Sequence, residues 1–232
     1  MVGKRPGGRR QLFDDWPERY NRWFETPIGR LVKGYETEVT LELLRPEGGE
    51  RILDAGCGTG IFTLDFLGLG AQVVGLDVSI PMLIHAKQQT WGYPFYSCAA
   101  DMLRLPFADA AFDKAVSVTA IEFIEDAEAA VAELFRVTRS RGVVVAATLN
   151  SLSPWASRRK ETASKDSGSI FAKAVFRSPD EMRVLAPVAG RVRTAVHFQK
   201  GDDPRKAKAI ELEGRLQGLE TGAYLAIRWE KP

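Results

Sequence analysis

Cysteine and histidine are nearly missing from this sequence, with two of each in 232 residues. The two thiols, Cys57 and Cys98, are too few for a disulfide framework. That fits a reducing compartment, so a cytoplasmic protein is expected. His85 and His197, with no Cys-x-x-Cys pair, cannot build a His- or Cys-rich metal centre, and no metal is expected. No run of about 18 apolar residues occurs, which argues against a transmembrane helix and membrane insertion. The basic start, MVGKRPGGRR, lacks the apolar stretch of a secretory signal. No repeat of about 20 to 50 residues is visible. The formal net charge is only +2, so the global balance offers no argument for nucleic-acid or membrane binding. Nothing in the sequence specifies an oligomeric state.

What is present fits an ordinary globular chain. Apolar residues make up 45% and charged residues 27%, enough to bury a sizeable core. Residues 1–11 read as a disordered basic tail, and residues 12–232 as a single domain. Apolar residues recur at helical spacing at Ile28, Leu31, Val32, Tyr35, Val39 and Leu43, which predicts an amphipathic helix ending near Pro46. An aromatic cluster, Trp16, Tyr20, Trp23 and Phe24, precedes it. Strands are expected at 51–55, 72–76, 95–99, 112–118 and 142–149, rich in Val, Ile, Leu and Ala as doubly buried strands are. Helices are expected at 60–68, 79–90 and 126–139, the last capped by Asp126 and stopped by Gly142. Repeated β-α-β units with short connections imply a parallel sheet between two layers of helices.

The pattern breaks after Asn150. Residues 151–177 are polar and basic and read as a mobile excursion, a candidate lid. A capping box at Ser178 to Glu181 opens a short helix. Late strands are expected at 191–199 and 223–229, with a charged, helix-prone insertion at 203–216 between them.

The densest signal is ILDAGCGTG, residues 52 to 60. An apolar strand runs into Asp54, followed by Gly56, Gly58 and Gly60. Glycines allow a tight strand-to-helix turn and a close approach of backbone to ligand. The next helix presents unpaired N–H groups to the same crevice, at the carboxyl end of the strands, where ligands of open α/β sheets bind. A dinucleotide loop needs G-x-G-x-x-G. Counted from Gly56, its last position is Ile61, which disfavours an NAD(P)-dependent oxidoreductase. The second strand ends in Asp77, where a carboxylate can accept both hydroxyls of a ribose. A helix-capping role is the simpler alternative for Asp77, as core packing is for Met82.

The arrangement D-x-G-x-G-x-G resembles motif I of the class I S-adenosylmethionine (SAM)-dependent methyltransferases. The nearest group is the mixed one of methyltransferase type 11 and ubiquinone- and menaquinone-biosynthesis-type enzymes. LDVSIPMLIHAK, the Asp101 segment with LRLPFADAAFD, FDKAVSVTAIEFIED and RVTRSRGVVVAATLN resemble the same family in the same order. The resemblance runs from residue 20 to 200 and is densest from 51 to 150. It implies a Rossmann-like three-layer α/β/α sandwich with a seven-stranded, mostly parallel sheet and an antiparallel C-terminal strand. It also implies SAM as cofactor and S-adenosylhomocysteine as product. Asp54, the three loop glycines, Asp77 and the adjoining Val78 would hold the cofactor. Met82 would pack beside the adenine, Asp101 and the Met102 backbone would meet its edge, and Thr119 would line it from the fourth strand.

A sulfonium methyl is already electrophilic, so such an enzyme mainly aligns an acceptor and excludes water. The acceptor side is expected from Tyr20, Trp23, Asn150 and Trp155, with Glu122 as candidate base or orienting acid. No Asn/Asp-Pro-Pro-Tyr/Phe segment follows the fourth strand, and neither cysteine sits as a nucleophile, so a small-molecule acceptor is the main expectation. An RNA or protein acceptor, or a non-catalytic SAM-binding partner subunit, stays open.

Overall fold

The computed structural model describes residues 10–165 and 169–232; the basic tail expected at 1–11 lies almost wholly outside them. The chain opens with α1 (Pro17–Glu25) and α2 (Pro27–Leu44), then alternates β1 (Arg51–Ala55), α3 (Thr63–Gly68), β2 (Gln72–Asp77), α4 (Ile80–Gln89) and β3 (Phe95–Ala99). β4 (Phe112–Val118), α5 (Ala127–Val137) and β5 (Thr138–Leu149) follow. The C-terminal part adds α6 (Pro154–Lys165), α7 (Pro179–Arg183), β6 (Arg191–Ala195), α8 (Pro204–Leu216) and β7 (Tyr224–Glu230).

The strands form one seven-stranded sheet in the order β3-β2-β1-β4-β5-β7-β6. β1 to β5 pair in parallel, and β7 lies antiparallel between β5 and β6. Strand order reverses between β1 and β4, the switch point at which open α/β sheets bind ligands.

Side chains alternate across this sheet, as a pleated strand requires. Ile52, Val143, Val145, Tyr224 and Ala226 face a core shared with α1, α2 and α3. Leu53, Val144, Ala146, Leu225 and Trp229 face the opposite core with α5 and α7. Both faces are therefore covered, which is why the strands read as continuous apolar runs.

Several local expectations need correction. The aromatic cluster is helical: it is α1, separated from α2 by Thr26, whose side chain accepts from the Gly29 N–H at 3.0 Å and caps α2. Gly142 does not stop α5. It lies within β5, where an added Cβ would meet the Asp113 carbonyl oxygen at 2.5 Å. β5 starts at Thr138, ahead of the expected start, because its exposed residues Arg139, Ser140 and Arg141 carry no apolar signal in the sequence. The 151–177 segment contains α6, which buries only Trp155 and Ala156. Ser178 and Glu181 form the expected capping box on α7, and the charged insertion is α8, but the strand expected at 191–199 ends at Ala195. His85 lies 3.2 Å from Glu18 and links α4 to α1. His197 pairs with Glu211 of α8 at 3.2 Å.

Candidate functional site

The glycine loop leaves β1 at the switch point and turns through three left-handed residues, with φ of 78° at Gly56, 54° at Gly58 and 80° at Gly60. The Gly56 and Cys57 N–H groups both donate to the Leu76 carbonyl, at 2.7 and 3.0 Å, and lock the loop to β2. A Cβ on Gly56 would meet the Ala120 methyl at 2.4 Å, whereas at Gly58 it would find nothing within 4 Å. Gly56 is thus required by packing, and Gly58 opens onto space. Gly60 packs on Ala86 of α4 rather than facing that space.

The space is a crevice of about 320 Å³ at the carboxyl ends of β1, β2 and β4. Asp54, Gly56, Gly58, Asp77 and Val78 line it, together with Met82, Asp101, Met102 and Thr119. Of the ten residues that the family resemblance singles out, the fold therefore gathers nine on one wall system.

Asp77 sits at its floor. One carboxylate oxygen accepts from the Gly58 N–H at 2.9 Å, the other from the Ser79 N–H at 2.8 Å. Burial raises its carboxyl against those two bonds, which favour the charged form. Each oxygen keeps a further lone pair for a donor in the crevice. Asp54, buried behind the loop, accepts from the Thr63 hydroxyl at 2.6 Å, and burial pushes its carboxyl up to about 7. Asp101 accepts from the Leu103 N–H at 2.9 Å, which turns the backbone around Met102 into the crevice. Thr119 carries a φ of 47°. A β-branched residue rarely adopts that conformation, and such strain collects at ligand sites.

Residues upstream of the glycine loop close the crevice from above. Leu12 and Phe13 line it, and Phe13 packs edge-on against Phe123 with ring centroids 4.8 Å apart. The sequence reading missed this cover; the alternation of Leu12, Phe13 and Trp16 with acids was its only trace.

The residues expected on the acceptor side separate. Tyr20 lines the crevice and also a second cavity of about 580 Å³, to which Trp23 and Trp155 belong. Tyr20 faces the Thr119 side chain, and burial with nearby Glu36 raises its phenol well above the usual range. Asn150 is fully buried and reaches neither space. Its amide N–H groups donate to the Glu220 and Gly222 carbonyls, both at 2.8 Å, and its oxygen accepts from the Leu152 N–H at 3.0 Å.

Glu122 lines neither cavity. It is 1% exposed, and neither carboxylate oxygen has a hydrogen-bond partner among the described residues. Burial pushes its carboxyl up to about 7 against the pull of Arg159 and Arg177. Glu36 of α2 is likewise buried, its carboxyl pushed up to about 8. Its signal was present in the sequence: Val32, Glu36 and Thr40 follow one another four residues apart along the buried stripe of α2. Cys57 is a buried thiol raised by the same desolvation.

Residues 53–146 match the family model described as a methyltransferase domain. Over 133 residues the chain is 39% identical to a malonyl-[acyl-carrier protein] O-methyltransferase of Pseudescherichia vulneris, covering 53% of this chain and 52% of that protein. A demethylmenaquinone methyltransferase of Beutenbergia cavernae is 35% identical over 159 residues, covering 67% of this chain and 63% of that one. The chain thus spans between half and two thirds of the length of these relatives. Among solved structures, a SAM-dependent methyltransferase of Thermotoga maritima superposes with a TM-score of 0.73 at 23% identity, covering 95% of this chain and 98% of that one. A phosphoethanolamine N-methyltransferase of Haemonchus contortus, in complex with SAM, has a TM-score of 0.64 at 16% identity, covering 97% and 61%. The matched segment runs from Leu53 in β1 to Ala146 in β5, the strands whose ends form the crevice; over it the chain is similar to methyltransferases, and it shares their fold.

Proposed function

We propose that this chain is a SAM-dependent methyltransferase acting on a small-molecule acceptor. The observation that carries the proposal is Asp77, whose two carboxyl oxygens accept from two backbone N–H groups beside the open face of Gly58. The crevice fits an adenosine: a bidentate anionic acceptor at its floor, apolar walls from Val78, Met82 and Met102, and a polar rim at Asp101.

Bound there, SAM supplies an electrophilic methyl group on a sulfonium. The chain's own residues bind, orient and exclude water. Asp77 accepts the ribose hydroxyls. Met82 would pack beside the base, while Asp101 and the Met102 backbone would meet its edge. Gly56 and Gly58 let the loop backbone approach the rest of the cofactor without a side chain between. Asp77 would place negative potential near the sulfonium. Phe13 and Leu12 cover the crevice and keep water out.

Tyr20 stands between the crevice and the second cavity, so the acceptor approaches from that side. The two named relatives act on malonyl-[acyl-carrier protein] and demethylmenaquinone, which supports an acceptor other than a nucleic-acid base. Residues 151–177, built around α6, serve as the lid over that side, and residues 12–232 act as one functional domain. Two free thiols support a cytoplasmic setting. Among the described residues, no helix is long and apolar enough to cross a membrane.

Calorimetric titration with SAM, with S-adenosylhomocysteine and with NAD tests the cofactor, repeated on Asp77→Ala. The expected result is binding of the SAM pair near about 1 µM, equivalent to about −8 kcal/mol, absent for NAD and lost in the variant. A folded protein that binds neither SAM species overturns the proposal.

A further inference from the structure

The second cavity is cationic and aromatic at once. Its lining includes Arg19, Arg158, Arg159 and Lys200 and, among the described residues, no acid. None of these four forms an ion pair with any described residue, whereas Lys114, Arg136, Arg183 and Arg215 do. Instead, three of them lie over aromatic faces. Arg19 is 4.2 Å from the Trp16 ring, Lys200 is 5.0 Å from Trp23, and Arg159 is 5.1 Å from Trp155 and 4.9 Å from Phe171. Stacking of this kind fixes a guanidinium plane and leaves its edge N–H groups free to bind. Trp155 is itself anchored, its indole N–H donating to the Phe198 carbonyl at 2.6 Å.

The cations come from α1, α6 and the turn after β6, which lie far apart in the chain and converge only through the fold. Solvated surface charges have no reason to converge on one concavity with no acid among them. Glu36 and Glu122 are the acids whose charge reaches Arg159, and neither lines the cavity. Tyr20 is the one described residue common to this cavity and the crevice.

We infer that the second cavity is the acceptor chamber and selects a small molecule with an anionic head, a carboxylate or a phosphate, on an apolar or aromatic body. The head binds at Arg158, Arg159 and Lys200, and the body lies on Trp23 and Trp155 and points its acceptor atom past Tyr20. This inference rests on the methyltransferase reading for the word acceptor. The anion preference of the cavity stands on the lining alone.

The probes are phenylacetate and phenyl phosphate, with phenylacetamide as the neutral isostere of the first. Each is titrated into the full chain by calorimetry, with and without saturating S-adenosylhomocysteine, and followed by tryptophan fluorescence, since three of the chain's five tryptophans line the cavity. The expected result is at least about ten-fold tighter binding of an anionic probe than of the amide, with a change in tryptophan emission. The stronger of the two anions identifies the head group. Arg159→Gln should abolish the preference, and Lys200→Gln, at an exposed position, should weaken it even if the first variant fails to fold. Equal affinity for phenylacetate and phenylacetamide, or no binding of either anion, overturns the inference. So does displacement of the probe only by an RNA oligonucleotide with a steep salt dependence. Failure of S-adenosylhomocysteine to bind, with the anion preference intact, would sink the cofactor reading and leave an anion-binding cavity.

Discussion

The Asp77 carboxylate accepts the Gly58 N–H at 2.9 Å, so the acid at the end of β2 and the central glycine of the loop after β1 form one rigid unit. The bond orients the carboxylate and holds the loop open at the same time. Asp77→Asn would set an amide N–H₂ against either the Gly58 or the Ser79 N–H. Loss of a charge-assisted bond of this kind is worth about 1.5–3 kcal/mol, so affinity for S-adenosylhomocysteine should fall about ten- to hundred-fold. Calorimetry on the folded variant, with unchanged far-ultraviolet circular dichroism, checks this.

The two glycines flanking Cys57 should fail in different ways. Gly56→Ala drives a methyl group into the Ala120 side chain, 2.4 Å away, at a φ of 78°. A clash added to left-handed strain predicts destabilisation of about 2 kcal/mol or more. Gly58→Ala meets no atom within 4 Å and costs only the left-handed penalty, about 1–2 kcal/mol. Its methyl group points into the crevice. Denaturant unfolding should therefore rank Gly56→Ala as the less stable, while Gly58→Ala folds and binds cofactor poorly.

The crevice was legible in the sequence because its residues lie on successive strand ends at near-standard spacing, and punctuation by glycine and acid survives without a structure. β1, β3 and β4 were bounded to the residue: β1 stops before Gly56 and β3 starts after Pro94, although β3 buries none of its side chains fully. α6 was not legible, because a helix that buries only Trp155 and Ala156 carries no apolar stripe. The second cavity was out of reach for a different reason. Arg19, Arg159 and Lys200 are separated by more than a hundred residues overall, and only the packing of α6 and of the turn after β6 against α1 brings them together. Glu122 was picked by its position as a base or orienting acid, but it is buried and lines neither cavity.

Asn150 illustrates how a polar residue after a strand can look like a substrate contact and hold the fold instead. Its side chain ties the end of β5 to the Glu220 and Gly222 carbonyls just before β7. Asn150→Ala leaves those carbonyls and the Leu152 N–H short of partners in a buried place, at a cost of about 1–3 kcal/mol. The midpoint of denaturant unfolding should drop accordingly. The dissociation constants of S-adenosylhomocysteine and of the anionic probes should stay within about two-fold, since the residue lines neither cavity.

Three buried carboxyls predict an unusual pH dependence. Burial pushes Glu36 up to about 8, Glu122 up to about 7 and Asp54 up to about 7. In the unfolded chain these groups ionise near the ordinary carboxylate range, about 4. Between that range and neutrality the native state therefore holds more protons than the unfolded state, and stability falls as pH rises. The fall ends once the native groups have ionised, near pH 8. Carboxyls held low by partners, such as Asp113 beside Arg139 and Glu133 beside Arg136, act oppositely and withdraw stability as pH drops below about 4. The melting temperature should peak near about pH 5 and decline toward pH 8. Glu36→Gln removes the group with the highest value and keeps its shape, so it should flatten the decline and raise the melting temperature at pH 8 by a few degrees, about 1 kcal/mol or more. Glu122→Gln should act in the same sense but less strongly, because its carboxyl is pushed up less far, to about 7. A wild-type melting temperature that rises from pH 5 to pH 8 would mean that these carboxyls are ionised in the folded protein, and that Arg159 is then neutralised from behind rather than free for an anion.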